Sequence, residues 1–151
     1  MRLIQKILII LVAGFISAGC TRNNGDIGEL FGDWRLDTLT ADGLELELYN
    51  GDVEVYTWAF QSNIVRIQEI FTYMDFSDYI GTWRRDGDVL ILDFTHHADY
   101  GDENFSPPED LHLVEHGVTK LDIVRLDSRK LQVSYRGEDG VEYMYFLHKV
   151  P

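Results

Sequence analysis

The stretch Glu29-Leu30-Phe31-Gly32-Asp33-Trp34-Arg35-Leu36 decides how the rest of the chain is interpreted. A glycine lets the backbone turn sharply, and the tryptophan two residues later gives the following strand a large apolar side chain. This order is typical of the closed end of a small β-barrel. It predicts a strand over residues 33–39, with a short helical turn over residues 27–31 before it.

Residues 1–19, upstream of that stretch, have the composition of an export signal. Arg2 and Lys6 are basic, residues 7–18 are apolar, and small residues end the segment at Gly19. The apolar run is too short for a membrane-spanning helix, which needs about 20 residues. We therefore predict that residues 1–19 are a signal peptide.

Cys20, the only cysteine, follows small residues in an order that resembles the lipobox of bacterial lipoproteins. The resemblance implies that Cys20 carries a diacylglyceryl thioether and an acylated amino terminus, and several acyl chains make attachment to a membrane stable. An ordinary secretory signal that ends by chance near a cysteine is the alternative. The expected organisation is a lipoprotein signal peptide at 1–19, a lipidated tether at 20–26 and a barrel domain at 27–151.

The mature chain is strongly acidic. The full chain has 13 Lys and Arg against 26 Asp and Glu, and removing Arg2 and Lys6 with residues 1–19 changes the net charge from −13 to −15. Such a charge opposes binding to nucleic acid and to anionic lipid surfaces. We therefore predict no nucleic-acid partner, and contact with a membrane only through the lipid on Cys20.

Short alternating segments fill the mature chain. Leucines and glutamates alternate strictly over residues 44–48, which predicts a half-buried strand, and the pairs Asn50-Gly51 and Asp86-Gly87 predict hairpin turns. Further strands are predicted at residues 53–61, 64–71, 79–85, 88–94, 119–126, 130–136 and 141–149. The predicted fold is all-β, an antiparallel up-and-down barrel of eight or nine strands, because closure removes exposed sheet edges.

Gly32-Asp33-Trp34 resembles the glycine-x-tryptophan motif that opens the first strand of lipocalins. Together with the lipobox, a central Gly81-Thr82-Trp83 and a final strand near the C-terminus, the chain resembles the lipocalin-like, calycin-type lipoproteins of Bacteroidetes. The resemblance implies the fold more firmly than a function. Lipocalins also place an arginine across the tryptophan, and Arg125, or alternatively Arg136, is expected to contact Trp34 through a cation–π interaction of about 1 kcal/mol.

Inward-facing aromatic residues and leucines form the candidate ligand pocket. An eight-stranded barrel is either filled by side chains or holds one small ligand, and the sequence leaves both possibilities open. The residues expected to line a pocket or a packed core are Trp58, Phe60, Leu90, Leu92, Phe94, Tyr135 and Tyr143.

Residues 95–118 form a long segment with two prolines, a possible short helix after them, and most of the histidines. His112 and His116 are four residues apart, which would place both on one helical face. The other residues with metal-binding chemistry there are His96, His97, Asp99, Asp102 and Glu103. Their spacing matches no recognised zinc site, so we predict neither a metal nor a cofactor.

The sequence has no nucleophile elbow, no phosphate-binding glycine loop and no cysteine beyond Cys20, so no enzymatic activity is expected. We expect a lipid-anchored protein of a Gram-negative cell envelope that holds a small apolar or amphipathic ligand in its barrel. Thr21 after the cysteine favours the outer membrane. The alternative is a non-catalytic structural or interaction module whose packed barrel contacts an envelope protein or glycan. The sequence leaves the oligomeric state open.

Overall fold

The computed structural model describes residues 28–49, 51–95 and 106–151 of the chain. The predicted signal peptide, Cys20 and the tether lie outside these residues, as do Asn50 and residues 96–105. The described part contains nine strands: β1 Gly32–Ala41, β2 Leu44–Glu45, β3 Val53–Gln61, β4 Ile64–Phe71, β5 Phe76–Asp86, β6 Val89–Asp93, β7 Val118–Leu126, β8 Lys130–Arg136 and β9 Glu142–Lys149.

No helix in the described part of the chain is long and apolar enough to cross a lipid bilayer.

The strands form one closed antiparallel barrel. Each strand from β3 to β9 pairs with the next one in the sequence, β1 pairs with β3, and β1 also pairs with β9, which closes the cylinder. Eight strands make up the barrel, while the two-residue β2 pairs only with the end of β1. The predicted all-β up-and-down barrel of eight or nine strands is confirmed.

The predicted alternation places the expected side chains inside the barrel. The predicted strands 53–61, 64–71 and 130–136 coincide with β3, β4 and β8. Trp58 packs on Tyr145 with ring centroids 5.4 Å apart, and Phe60 meets Trp83 edge-on at 5.2 Å. These four aromatic side chains are buried in the single core cluster of the described residues.

Gly32 and Trp34 organise the end of the barrel where β1 begins. Gly32 has a φ of +115°, and a Cβ atom there would lie 3.2 Å from Cε of Lys149. Trp34 is fully buried, and its indole Nε1 donates a hydrogen bond to the carbonyl oxygen of Leu30 at 2.8 Å. The Nζ of Lys149 lies 5.1 Å from the Trp34 ring and donates to the carbonyl oxygen of Glu29 at 3.1 Å. The turn before β1 is thus fixed to both β1 and β9.

Lys149, rather than Arg125, is the cation over Trp34. A bulge at Val124 interrupts the alternation of side chains along β7. Ile123 pairs with Val133, and Arg125, two residues later, pairs with the adjacent residue Gln132. The bulge reverses the alternation, so Arg125 points outward, where its Nη2 lies 2.8 Å from Asp127. The expectation that Arg125 contacts Trp34 is therefore wrong.

The strand predicted at residues 44–48 is present only as the two-residue β2. Leu44 is 75 % exposed, whereas Leu48 is buried outside any strand. The chain leaves the sheet because Leu48 N–H bonds to Leu46 C=O, which forms a tight turn, instead of to a neighbouring strand. The segment folds back over the end of β1 and buries one of its three leucines.

The two ends of the barrel differ in the length of their connections. At the closed end, where β1 begins, short turns join β3 to β4, β5 to β6 and β7 to β8. At the open end, the longest connection contains the cap, which we define as residues 106–117. The predicted short helix after the prolines is confirmed as a single 3₁₀ turn, Glu109–Leu111.

The cap covers the open end by inserting leucines into the core. Leu111 is fully buried and Leu113 nearly so, and both belong to the core cluster. The hydroxyl of Tyr145, on β9 inside the barrel, donates a buried hydrogen bond of 2.7 Å to the carbonyl oxygen of Leu111. The cap therefore closes over the core at the open end, and side chains from the barrel interior hold the cap in place.

Candidate functional site

A cleft of about 450 Å³ lies at the open end, between the cap and the turn that joins β8 to β9. One wall consists of His112, Leu113, Val114 and Glu115 from the cap. The other consists of Tyr135, Gly137, Glu138, Asp139 and Tyr143 from β8, the turn and β9. The volume falls within the range typical of small-molecule sites, about 300–1,000 Å³.

The seven predicted pocket residues separate into two groups. Trp58, Phe60, Leu90, Leu92 and Phe94 are buried in the core cluster, whereas Tyr135 and Tyr143 line the cleft. The indole Nε1 atoms of Trp58 and Trp83 are buried without an acceptor among the described residues. The structure therefore places two of the seven residues in the cleft wall, the half-buried Tyr135 and the buried Tyr143, and packs the other five below it.

Three aromatic rings in the cleft wall lie nearly parallel. His112 and Tyr143 stack with centroids 4.7 Å apart and ring planes at 14°, and Tyr143 and Tyr135 follow at 6.4 Å and 19°. Tyr143 and Tyr135 are cross-strand partners on β9 and β8. His112 reaches the stack because it ends the 3₁₀ turn in a left-handed conformation, with φ 54°.

Asp139 is held in one position by two hydrogen bonds. Its carboxylate accepts from the backbone N–H of Val141 at 3.0 Å and from the Tyr143 hydroxyl at 2.8 Å. These bonds lower the pKa of Asp139, the backbone N–H of Val141 having the largest effect. Gly137 makes the arrangement possible, since a Cβ there would lie 2.5 Å from Oδ1 of Asp139.

The carboxylates also raise the pKa values of the tyrosines of the cleft. The pKa of Tyr143 is raised, first by its hydrogen bond to Asp139 and then by burial. Burial raises the pKa of Tyr135, and the charges of Glu138 and Asp139 add to the effect. Both phenols therefore remain neutral at physiological pH, beside carboxylates that are negatively charged.

A second polar cluster lies at the open end around Glu69 of β4. Its carboxylate accepts hydrogen bonds from the hydroxyls of Tyr56 at 3.0 Å and Tyr79 at 2.9 Å. The Tyr56 hydroxyl is also 3.4 Å from Asp110 of the cap. Burial and then the hydrogen bond to Glu69 raise the pKa of Tyr79 to about 12. This cluster connects three strands of the barrel wall to the cap.

The histidine segment is not helical where it is described. His112 and His116 both have positive φ, so the predicted shared helical face does not exist. His112 stacks on Tyr143, and a ring nitrogen of His116 lies 3.0 Å from Ser106 Oγ. The other five residues of the predicted cluster lie outside the described residues. Within the described part of the chain, no group of three or more metal-binding side chains comes together.

The sequence did not predict most of the residues that form the cleft wall. Leu113, Val114 and Glu115 lie in the 95–118 segment, where the sequence singles out only histidines and other carboxylates, and Glu138 and Asp139 lie between the last two predicted strands. The cleft depends on where the cap lies relative to that turn, about 20 residues further along the chain. The one available signal was the length of the 95–118 connection, since long loops in compact domains are often functional.

Neither the known protein families nor the curated proteins give a match to this sequence. Several solved structures are similar to this chain in fold. A lipocalin-like protein from Bacteroides uniformis is similar with a TM-score of 0.56 and 16% identity, over 82% of this chain and 100% of that one. An uncharacterized protein from Bacteroides eggerthii gives a TM-score of 0.53 and 15% identity, over 80% of this chain and 99% of that one.

Bovine odorant-binding protein, solved in complex with a selenium-containing odorant, is more distant, with a TM-score of 0.45 and 15% identity over 87% of this chain and 75% of that one. At these identities the similarity to the Bacteroides structures establishes the fold, which is lipocalin-like. The sequence-based resemblance to lipocalins is confirmed at that level.

Proposed function

We propose that this protein is a non-catalytic, lipid-anchored binding protein of the cell envelope that holds a small apolar or amphipathic ligand at the open end of its barrel. The observation that carries the proposal is the cleft between the cap and the β8–β9 turn. It combines the volume of a small-molecule site with the tyrosine rings of Tyr135 and Tyr143 and the apolar side chains of Leu113 and Val114.

The proposal places the ligand beside the core instead of inside it. The core side chains below the cap are buried and in contact with one another, so a ligand there would have to displace them. The cleft needs no such displacement, because it is already open to solvent. Tyrosines suit this position, since each offers an apolar ring and a polar hydroxyl.

Lipid attachment at Cys20 would leave the cleft accessible. Gly28 belongs to the turn at the closed end, where its carbonyl oxygen accepts from the N–H of Phe31. Eight residues from Cys20 to Gly28 reach at most about 28 Å when extended. An acylated Cys20 would hold the closed end near the membrane and leave the open end facing away from it.

Substitution of Cys20 tests the anchoring part of the proposal. In the native host, wild-type protein is expected in the membrane fraction and to incorporate a labelled fatty acid, whereas Cys20→Ser is expected to do neither. Retention of Cys20→Ser in the membrane fraction, or its labelling, would contradict lipid attachment at this residue.

Two experiments test ligand binding. Native mass spectrometry of the protein purified from its own host is expected to show a retained small molecule. Separately, the neutral dye N-phenylnaphthylamine is expected to gain fluorescence with the protein, and Tyr135→Ala is expected to weaken its binding about tenfold by removing a wall of the cleft. Tyr73→Ala, which truncates a tyrosine that is 87 % exposed elsewhere at the open end, is the matched control.

The packed core favours one other candidate function, a structural or interaction module that contacts an envelope protein or glycan. This function predicts that the purified protein retains no small molecule and that Tyr135→Ala and Tyr73→Ala bind the dye equally. Those two results together would replace the binding-protein proposal with the interaction module.

A further inference from the structure

The chemistry of the cleft selects among small ligands. Three of its nine lining residues, Glu115, Glu138 and Asp139, carry carboxylates, and none of the nine is Lys or Arg. The ion pairs between described residues involve other side chains, so these three carboxylates lie more than 4.0 Å from any described Lys or Arg nitrogen. A concave site lined by one sign of charge concentrates its field and attracts ions of the opposite sign.

Asp139 has unused hydrogen-bonding capacity. The Val141 N–H and the Tyr143 hydroxyl each occupy one acceptor position, one on each carboxylate oxygen. An ionised carboxylate offers about four such positions, so roughly two remain free for a ligand. Because the two bonds already fix the carboxylate, a ligand that binds it loses little affinity to ordering the side chain.

The tyrosine rings, like the carboxylates, attract a positively charged ligand. The face of an aromatic ring is electrically negative and attracts a cation within about 6 Å of its centre. Tyr135 is half-buried and lies in the cleft wall, with Tyr143 stacked behind it. A cation in the cleft would therefore meet carboxylates at the turn and a ring face on β8.

The remaining wall is apolar. Leu113 and Val114 of the cap line the side of the cleft opposite the turn. A volume of about 450 Å³ exceeds what a bare inorganic ion would fill, so the site suits a molecule with an apolar part as well as a charge.

We propose that the cleft binds an organic ammonium ion, with the ammonium group between Asp139, Glu138 and the Tyr135 ring, and with an aromatic or aliphatic skeleton against Leu113 and Val114. This inference rests on the proposed binding function and names its ligand class. It excludes fatty acids and other carboxylates, because their charge would face three carboxylates at close range.

A matched set of three probes tests the charge preference. Phenethylamine, phenethyl alcohol and phenylacetate share an aromatic ring on a short chain and differ mainly in the charge of the end group. Dissociation constants are measured on the purified protein by titration followed in backbone amide NMR. The amine is expected to bind about tenfold more tightly than the alcohol, as expected for a partly desolvated ion pair with a cation–π contact. Phenylacetate is expected to bind more weakly than either.

Charge-neutralising variants identify the carboxylates responsible for the preference for the amine. Asp139→Asn keeps an acceptor for the Val141 N–H and removes the charge, so the fold of the turn is retained. It is expected to weaken amine binding about fivefold and alcohol binding by a smaller factor, and Glu138→Gln is expected to have a smaller effect on amine binding in the same direction. Glu54→Gln, on the exposed face of β3 and outside the residues that line the cleft, removes one negative charge and serves as the control.

Several results would overturn the inference. They are amine binding no tighter than alcohol binding, absence of measurable amine binding, or equal amine affinities for Asp139→Asn and Glu54→Gln. If the alcohol binds as well as the amine and Tyr135→Ala weakens both, the proposed binding function stands without the preference for cations. If none of the three probes binds and the native protein retains no molecule, the binding function fails as well.

Discussion

Lys149 shows how one side chain fixes the closed end of the barrel. Its aliphatic stem passes over Gly32, its ammonium lies 5.1 Å from the Trp34 ring centre, and it donates to the carbonyl oxygen of Glu29. The interaction satisfies a turn carbonyl and covers a buried tryptophan at the same time. Lys149 thus has the position that the sequence-based comparison with lipocalins gave to an arginine.

Replacement of Lys149 by methionine tests this role. Methionine keeps an unbranched apolar stem but loses the ammonium, so Lys149→Met is expected to destabilise the fold by about 1–2 kcal/mol in urea unfolding. Arg125→Ala removes an exposed pair with Asp127 and is expected to change stability by less than about 0.5 kcal/mol. A larger loss for Arg125→Ala than for Lys149→Met would contradict the assignment.

The tyrosines around Glu69 give the protein a pH dependence in the alkaline range. Burial, and then the hydrogen bond to Glu69, raises the pKa of Tyr79 from 10.0 to about 12 in the folded protein. The stability that depends on the neutral phenol is therefore fully present below pH 10 and is lost as the pH rises towards 12. The pKa of Tyr56 is raised as well, by burial and by the charge of Glu69.

Urea unfolding at neutral pH and between pH 10 and 12 measures this contribution. The wild type is expected to lose more stability over that interval than Tyr79→Phe, whose side chain has no proton to lose. Equal losses for the two proteins would show that the Tyr79 hydroxyl does not contribute.

At the scale of elements, the cap is the part of the fold most dependent on single contacts. Its only regular structure is the 3₁₀ turn Glu109–Leu111, which is too short to be stable by itself. The contacts that attach it to the barrel are two buried leucines, the Tyr145 hydroxyl, the stacking of His112 on Tyr143 and the contact of Asp110 with the Tyr56 hydroxyl. Because the cap forms one wall of the cleft, its attachment determines the shape of the candidate site.

Tyr145→Phe tests that attachment. The substitution leaves the buried carbonyl oxygen of Leu111 without its donor, at an expected cost of about 1–3 kcal/mol. Amide hydrogen exchange in the cap, measured at His112, is expected to accelerate more than exchange in β3 or β4. Equal acceleration in the cap and in those strands would mean that the bond supports the whole barrel and does not act on the cap in particular.

The elements differ in how well the sequence predicted them, for physical reasons. β3, β4 and β8 have long period-2 alternation and turn residues at both ends, so local preferences and burial agree. The 44–48 segment alternates equally well, yet it forms a strand over only two residues, because a turn at Leu46–Leu48 takes it out of the sheet. Alternation predicts which side chains share a face but not whether a neighbouring strand is available.

At the scale of the whole molecule, the sequence predicted the barrel but not the site. Barrel closure follows from strands that are consecutive in the chain and need only their nearest neighbours. The cleft joins residues 112–115 to residues 135–143, and the left-handed conformation of His112 brings its ring onto Tyr143 where those segments meet. Such irregular positions depend on tertiary packing and leave little trace in hydrophobic periodicity.

At this scale, the acidic composition of the chain affects which ligands the protein attracts. The formal net charge of −13 on the full chain opposes the binding of anionic partners. In the cleft, three carboxylates without a described Lys or Arg partner combine this general property with tyrosine rings and a solvent-open volume of small-molecule size. A preference for cationic ligands depends first on a binding site at the open end of the barrel.

Mapping of a bound neutral ligand tests that location most directly. N-phenylnaphthylamine is added to the protein, and backbone amide shifts are compared for residues 112–115 and 135–143 against those for the closed end around Gly32 and Lys149. We predict that the largest shift changes fall in the two segments that line the cleft. Changes concentrated in the core strands or at the closed end, or the absence of any saturable change, would contradict a binding site at the open end.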